Sequence, residues 1–181
     1  MTRCLEVTLT RLNAALPLAR AASFASALLG LSACAATLPP TSHHGLVDHA
    51  VPDFKRRTID GTEVDTAALR GHVVVVKFFA KYCEPCKRTL PAIEELAESR
   101  KDVTFIGIAE DERESDVREV VSTFHLSFPV IHDNSNVLAG RYRVNEMPVT
   151  FVVDPMGGIR WVGDSSRSHA EIVQAVQAVA K

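Results

Sequence analysis

Cys83 and Cys86 stand three positions apart in the stretch KFFAKYCEPCKRTLP, residues 77–91. Two thiols at that spacing support three chemistries: ligation of a metal, a permanent structural bridge, or a dithiol that cycles with its disulfide. A structural zinc site usually takes four Cys/His ligands, often as two close pairs. The chain has four cysteines, Cys4, Cys34, Cys83 and Cys86, and only one close pair, so the metal reading is weak. The redox reading makes a physical demand. A free thiol with a pKa near about 8.5 is mostly protonated at neutral pH, and only the thiolate attacks a disulfide. One sulfur must therefore sit where negative charge is stabilised.

The surrounding pattern supplies such a place. Val73–Phe79 is an apolar, β-branched run of the kind buried on both faces of a sheet. From Glu84 to Ser99, Leu90, Ile93, Leu96 and Ala97 recur at helical spacing. Cys83 thus falls at a helix N-terminus, where unpaired N–H groups and the helix dipole favour an anion. Further along, Val103–Ala109 and Val149–Val153 read as buried strands, and Arg56–Ile59 with Thr62–Val64 as a hairpin about Asp60-Gly61. Ser115 to His125 reads as a helix with Ser115 as its N-cap. Asp154–Gly158 reads as a turn leading to a strand at Ile159–Val162, and Ser168 to Glu171 as a capping box that opens a last helix. Alternating strands and helices, closed by a hairpin, predict an α/β fold with a central mixed sheet flanked by helices.

The whole chain narrows the function class. Its 181 residues suit one domain plus an appendage, and 46% hydrophobic residues are ample for a core. A net charge of −2 lacks the basic excess of a nucleic-acid binder. Arg3, Arg11 and Arg20 precede an apolar run, Ala21–Leu31, which is short for a membrane span but fits an export signal. The run ends in Leu31-Ser32-Ala33-Cys34, which resembles the lipobox of bacterial lipoproteins and makes Cys34 the lipidated N-terminus. A plain cleaved signal or an uncleaved anchor is the alternative. The expected organisation is a signal over residues 1–33, lipidated Cys34 with a flexible linker to residue 50, and a domain over 51–181. Pro39-Pro40 favours an extended tether, and His43, His44 and His49 within it read as solvated.

Taken together, the strand running into CEPC, Pro91 eight residues after Cys83, and Met147-Pro148-Val149-Thr150-Phe151 resemble the thioredoxin fold. The N-terminal hairpin and the βα-type insertion Glu110–Asp133 resemble its TlpA/ResA-like branch of membrane-attached, extracytoplasmic thiol–disulfide oxidoreductases. The resemblance implies a redox-active Cys83–Cys86 disulfide and no cofactor. It implies a cis Pro148 against the CxxC, with the Met147 backbone free to pair with a client strand. The partners it implies are oxidised client proteins, such as apocytochrome c or copper-site proteins, and a DsbD- or CcdA-like membrane thiol donor. Cys83, better placed on the dipole, is the expected nucleophile, and Cys86, one turn inside, the resolving thiol. Glu84 and Pro85 tune the couple, and Tyr82 provides an aromatic shield.

Some positions depart from the family pattern. Lys77 stands six residues before Cys83, where thioredoxin has a buried Asp; it is expected to snorkel outward from the strand end, the alternative being a buried ammonium that supports the active site by favouring nearby thiolates. Thr89 stands where some relatives have a Glu, leaving open whether Glu110 or another acid moves protons. His72, His125, His132 and His169 show no ligand spacing. The alternative functions are a thiol peroxidase, which would need a Thr where Ala80 stands, and a copper chaperone using both cysteines and a histidine.

Overall fold

A computed structural model describes residues 37–180. The signal-like run, Cys4 and Cys34 lie outside the described residues. Strands β1 (Lys55–Arg57) and β2 (Glu63–Asp65) form an antiparallel hairpin, and a 3-10 turn follows at Thr66–Leu69. The central sheet holds β3 (Val73–Phe79), β4 (Val103–Ala109), β5 (Val130–His132), β6 (Val149–Val153) and β7 (Ile159–Gly163), in the order β5-β4-β3-β6-β7. β3 is parallel to β4 and β4 to β5, whereas β6 is antiparallel to both β3 and β7. The helices are α1 (Glu84–Ser99), α2 (Glu114–Thr123), α3 (Val137–Arg141) and α4 (His169–Val179). The sheet is mixed and covered on both sides, as the alternation of elements predicted.

β3 is buried at every position because it is the middle strand and both of its faces are covered. Val73, Val75 and Phe79 pack with Cys86, Leu90 and Ile93 of α1 and with Ile172 and Val176 of α4. Val74, Val76 and Phe78 pack on the opposite side with Leu138, Tyr142, Val51 and Phe54. At α2 the N-cap is Arg113 and carries no side-chain cap bond, so Ser115 lies inside the helix. The first turn gains charge instead: Glu114 and Asp116 lie in it, and the Arg113 guanidinium binds Asp116 at 2.9 Å.

Residues 40–49, within the stretch 34–50 read as a linker, lie along the edge of the sheet. β7 is an edge strand, and its unpaired backbone groups need partners. Ser42 N–H donates to Val162 O at 2.8 Å, Asp48 N–H to Ile159 O at 2.8 Å, and Ile159 N–H to His49 O at 2.9 Å. The Trp161 indole N–H donates to Pro40 O at 3.1 Å, and Leu46 is buried. This stretch is the cover of a sheet edge. Two of its histidines are also engaged, His44 on Arg143 O and His49 on Val47 O.

Candidate active site

β3 delivers the chain into a tight turn, Cys83 N–H donating to Ala80 O at 3.1 Å, and α1 begins at Glu84. Cys83 is the helix N-cap, its φ of −83° and ψ of 96° being extended rather than helical. Its sulfur accepts the Cys86 backbone N–H at 3.1 Å, a first-turn donor that also reaches Cys83 O at 3.0 Å. Cys83 and Cys86 are joined in a disulfide, with Cα atoms 5.2 Å apart. Cys83 retains 7% exposure and Cys86 none. Any attacking group therefore reaches Cys83 first. Pro85 sits in the first helical turn, where its missing N–H costs no bond. Glu84 is ion-paired with Lys87, which offsets part of its charge near the sulfur.

Cys83 lines an open cleft of about 540 Å³, together with Tyr82, Glu84, Pro85, Glu110 and the loop Val144–Met147. Met147 and Pro148 are joined by a cis peptide bond, and β6 starts at Val149, which pairs with Phe78 of β3. This pairing brings Met147, sixty-odd residues from the cysteines in sequence, to the same cleft. Tyr82 is 70% exposed and lines the cleft next to Cys83. Thr89 donates back to Cys86 O at 3.1 Å, a bond within α1 that keeps its hydroxyl away from the cleft.

Lys77 does not snorkel. It is 2% exposed and stands two residues from both Val75 and Phe79, so it shares their sheet face, the one covered by α1 and Cys86. β6 lies directly opposite, Lys77 pairing with Thr150, and the amine donates to the Thr150 hydroxyl at 3.0 Å. Burial lowers its pKa to about 7. A lysine at a strand end can snorkel only where solvent is in reach, and β6 with α1 closes that route. Glu110, left unplaced by the sequence, stands directly after β4, and its N–H donates to Phe79 O at 3.0 Å. Burial, reinforced by the nearby Asp133 and Asp111, raises its pKa to about 7. No sequence signal short of the β3–β4 register could have put it in the cleft. Among the histidines, His132 meets Asp111 O at 2.7 Å, away from the cysteines. Among the described residues no three His, Cys, Asp or Glu side chains gather as a metal-holding group.

A CxxC disulfide capping the first long helix, at the end of the central strand and beside a cis-proline loop, defines a thiol–disulfide oxidoreductase of the thioredoxin fold. A model of the AhpC/TSA family matches residues 47–162, and the chain belongs to that family. It is 31% identical over 119 residues to the thiol-disulfide oxidoreductase ResA of Oceanobacillus iheyensis, a match covering 62% of this chain and 62% of that protein, less than two-thirds of its length. It is 29% identical over 127 residues to the thioredoxin-like protein YneN of Bacillus subtilis, covering 68% of this chain and 74% of that one. Among solved structures it resembles a secreted Mycobacterium tuberculosis disulfide oxidoreductase homologous to DsbE of E. coli. There the identity is 26% and the TM-score 0.65, with 69% of this chain and 95% of that one covered.

Proposed function

We propose that the protein is exported, anchored by a lipid on Cys34, and reduces disulfides of extracytoplasmic client proteins through the Cys83–Cys86 couple. The observation that carries the reading is the asymmetry of the pair. Cys83 borders an open cleft and accepts a helix N-terminal N–H, while Cys86 is sealed behind it. That arrangement suits a nucleophile whose thiolate is stabilised and a resolving thiol that meets only its neighbour. In the reduced protein the Cys83 thiolate attacks one sulfur of a client disulfide, and the other client sulfur leaves. Cys86 then attacks the Cys83 sulfur, the second client sulfur leaves, and the internal disulfide returns. A membrane dithiol donor of the DsbD or CcdA kind supplies the two electrons of the next cycle. Met147 offers backbone groups and a soft side chain to the client strand, and Lys77 supports the thiols from beneath. Apocytochrome c and copper-site proteins are the client classes that fit a reductant of this kind. The anchor reading rests on Leu31-Ser32-Ala33-Cys34 and the apolar run before it. No helix among the described residues is long and apolar enough to cross a membrane.

Two measurements test the reading. Cys86→Ser should trap the mixed disulfide with an oxidised client, a gel-shifted species released by dithiothreitol, whereas Cys83→Ser should trap none. Equilibration of the full chain in thiol buffers should give a potential near thioredoxin's, about −270 mV. A potential near about −120 mV would reverse the direction of electron flow. The absence of any reversible couple would remove the redox reading altogether.

A further inference from the structure

We propose that Glu110 is the catalytic acid–base of the cleft, giving a proton to the departing client sulfur and recovering it when the donor dithiol recharges the protein. The inference rests on the thiol-exchange reading above and assigns a residue to a step that reading leaves without one. A departing alkyl thiolate is strongly basic and leaves faster when its charge is neutralised. Cys83 cannot supply that proton, because it attacks as a thiolate. Cys86 holds one proton, but it is sealed from the cleft until the second step.

Glu110 is placed for the task by β-sheet register. Phe79 of β3 pairs with Ala109 of β4, so Glu110 lies beside the turn that leads to Cys83, and both residues line one cleft. One carboxyl oxygen, Oε1, is buried without a hydrogen-bond partner. An ionised carboxylate pays heavily for such an oxygen, whereas a neutral carboxyl does not. The surrounding charges act in the same direction. Asp111 on its own loop and Asp133 after β5 repel a negative charge at Glu110. From α1 and the Met147 loop, Glu84 and Glu146 also line the cleft, as does the Tyr82 phenol. No lysine or arginine lines it among the described residues. The Lys81 ammonium is held by Asp116 and Glu119, at 3.0 and 2.6 Å, and His132 is turned to the Asp111 carbonyl. A Cys83 thiolate in the same cleft adds one more like charge, so Glu110 holds its proton most firmly in the reduced, attacking form.

The proton count then closes without solvent. The reduced protein holds a Cys83 thiolate, a Cys86 thiol and a Glu110 carboxyl. The client disulfide takes two electrons and two protons to become two thiols. One proton comes from Glu110 as the first client sulfur leaves, and the other from Cys86 as it resolves the mixed disulfide. The products are the internal disulfide, the client dithiol and a Glu110 carboxylate, with total charge unchanged. Recharging by a dithiol runs the same steps backwards.

Two neutral disulfides that differ in the basicity of their leaving thiol test the assignment on the full chain. Bis(2-hydroxyethyl) disulfide releases a basic alkyl thiolate that needs the proton. 4,4′-Dithiodipyridine releases an acidic aromatic thiol that does not. Glu110→Gln should lower the ratio of the alkyl to the aromatic reduction rate by about 10²-fold, the lower end of what a positioned acid contributes. The alkyl rate of the unaltered protein should fall as pH rises above about 7, where the carboxyl ionises. The Gln variant should lose that falling limb, and Glu110→Asp should recover part of the ratio. An equal loss on both substrates, or an unchanged ratio, would overturn the assignment while leaving the oxidoreductase reading intact. If the unaltered protein reduced neither disulfide, both would fall.

Discussion

Replacing Lys77 with Met should stabilise the oxidised protein near neutral pH and flatten its stability profile in alkali. Lys77 is 2% exposed and has the Thr150 hydroxyl as its hydrogen-bond partner. Burial moves its pKa from 10.5 to about 7, and no carboxylate offsets the shift. At about 1.4 kcal/mol per pKa unit, a displacement of that size corresponds to roughly 5 kcal/mol at pH 7. Between pH 7 and 10.5 the unfolded chain binds a proton that the folded chain lacks, so folding stability rises with pH across that window. Below pH 7 both states are charged and the full penalty persists. Methionine fills a similar volume without charge, and the Thr150 hydroxyl left behind costs about 1–2 kcal/mol. The net gain at pH 7 is then about 3 kcal/mol. Urea unfolding followed by Trp161, the single tryptophan, reads this directly. With the disulfide intact the cysteines do not titrate, and both Tyr82 and Tyr142 have their pKa values raised above 10, outside the range used. From pH 7.5 to 9.5 the parent protein should gain about 2–3 kcal/mol, at a slope near one proton. The Met variant should stay nearly level. A parent profile as level as the variant's, or a variant less stable at pH 7.5, would show that the amine is stabilised by something other than burial acting alone.

Two further outcomes test the fold around the site. Gly107 lies opposite Lys77 in β4, and an added Cβ would meet Phe79 at 2.9 Å, Val130 at 3.0 Å and Phe128 at 3.1 Å. Gly107→Ala should cost about 1–3 kcal/mol in urea unfolding. It should also slow reduction of small disulfides, because Phe79 closes β3 just before the CxxC turn. A chain beginning at Val51 loses the cover of β7 and the Trp161 bond to Pro40. Its tryptophan emission should shift to the red and its unfolding midpoint should fall. An unshifted spectrum would mean that Pro39–Ala50 is dispensable to the sheet edge.

The elements that carry the cysteines were legible in the sequence because their signals are local. The β-branched run of β3, the helical spacing and N-terminal Cys83 of α1, and the capping box of α4 each fix their own backbone. The bounds read for β3, α1, β4 and β6 are those observed. CxxC, Pro91 and Pro148 could be read the same way, as spacing along the chain. Pro39–Ala50, Lys77 and Glu110 could not. A proline-rich stretch looks like a tether until an edge strand takes up its carbonyls. A lysine in a strand looks free to reach solvent until β6 and α1 cover it. A glutamate after a strand looks like any surface acid until register sets it in the cleft that Cys83 lines. Sequence thus determined that Cys83 and Cys86 stand where a buried strand ends and a helix begins. Tertiary structure alone decided how acidic Lys77 and Glu110 are, because desolvation and like-charge proximity depend on partners far away along the chain.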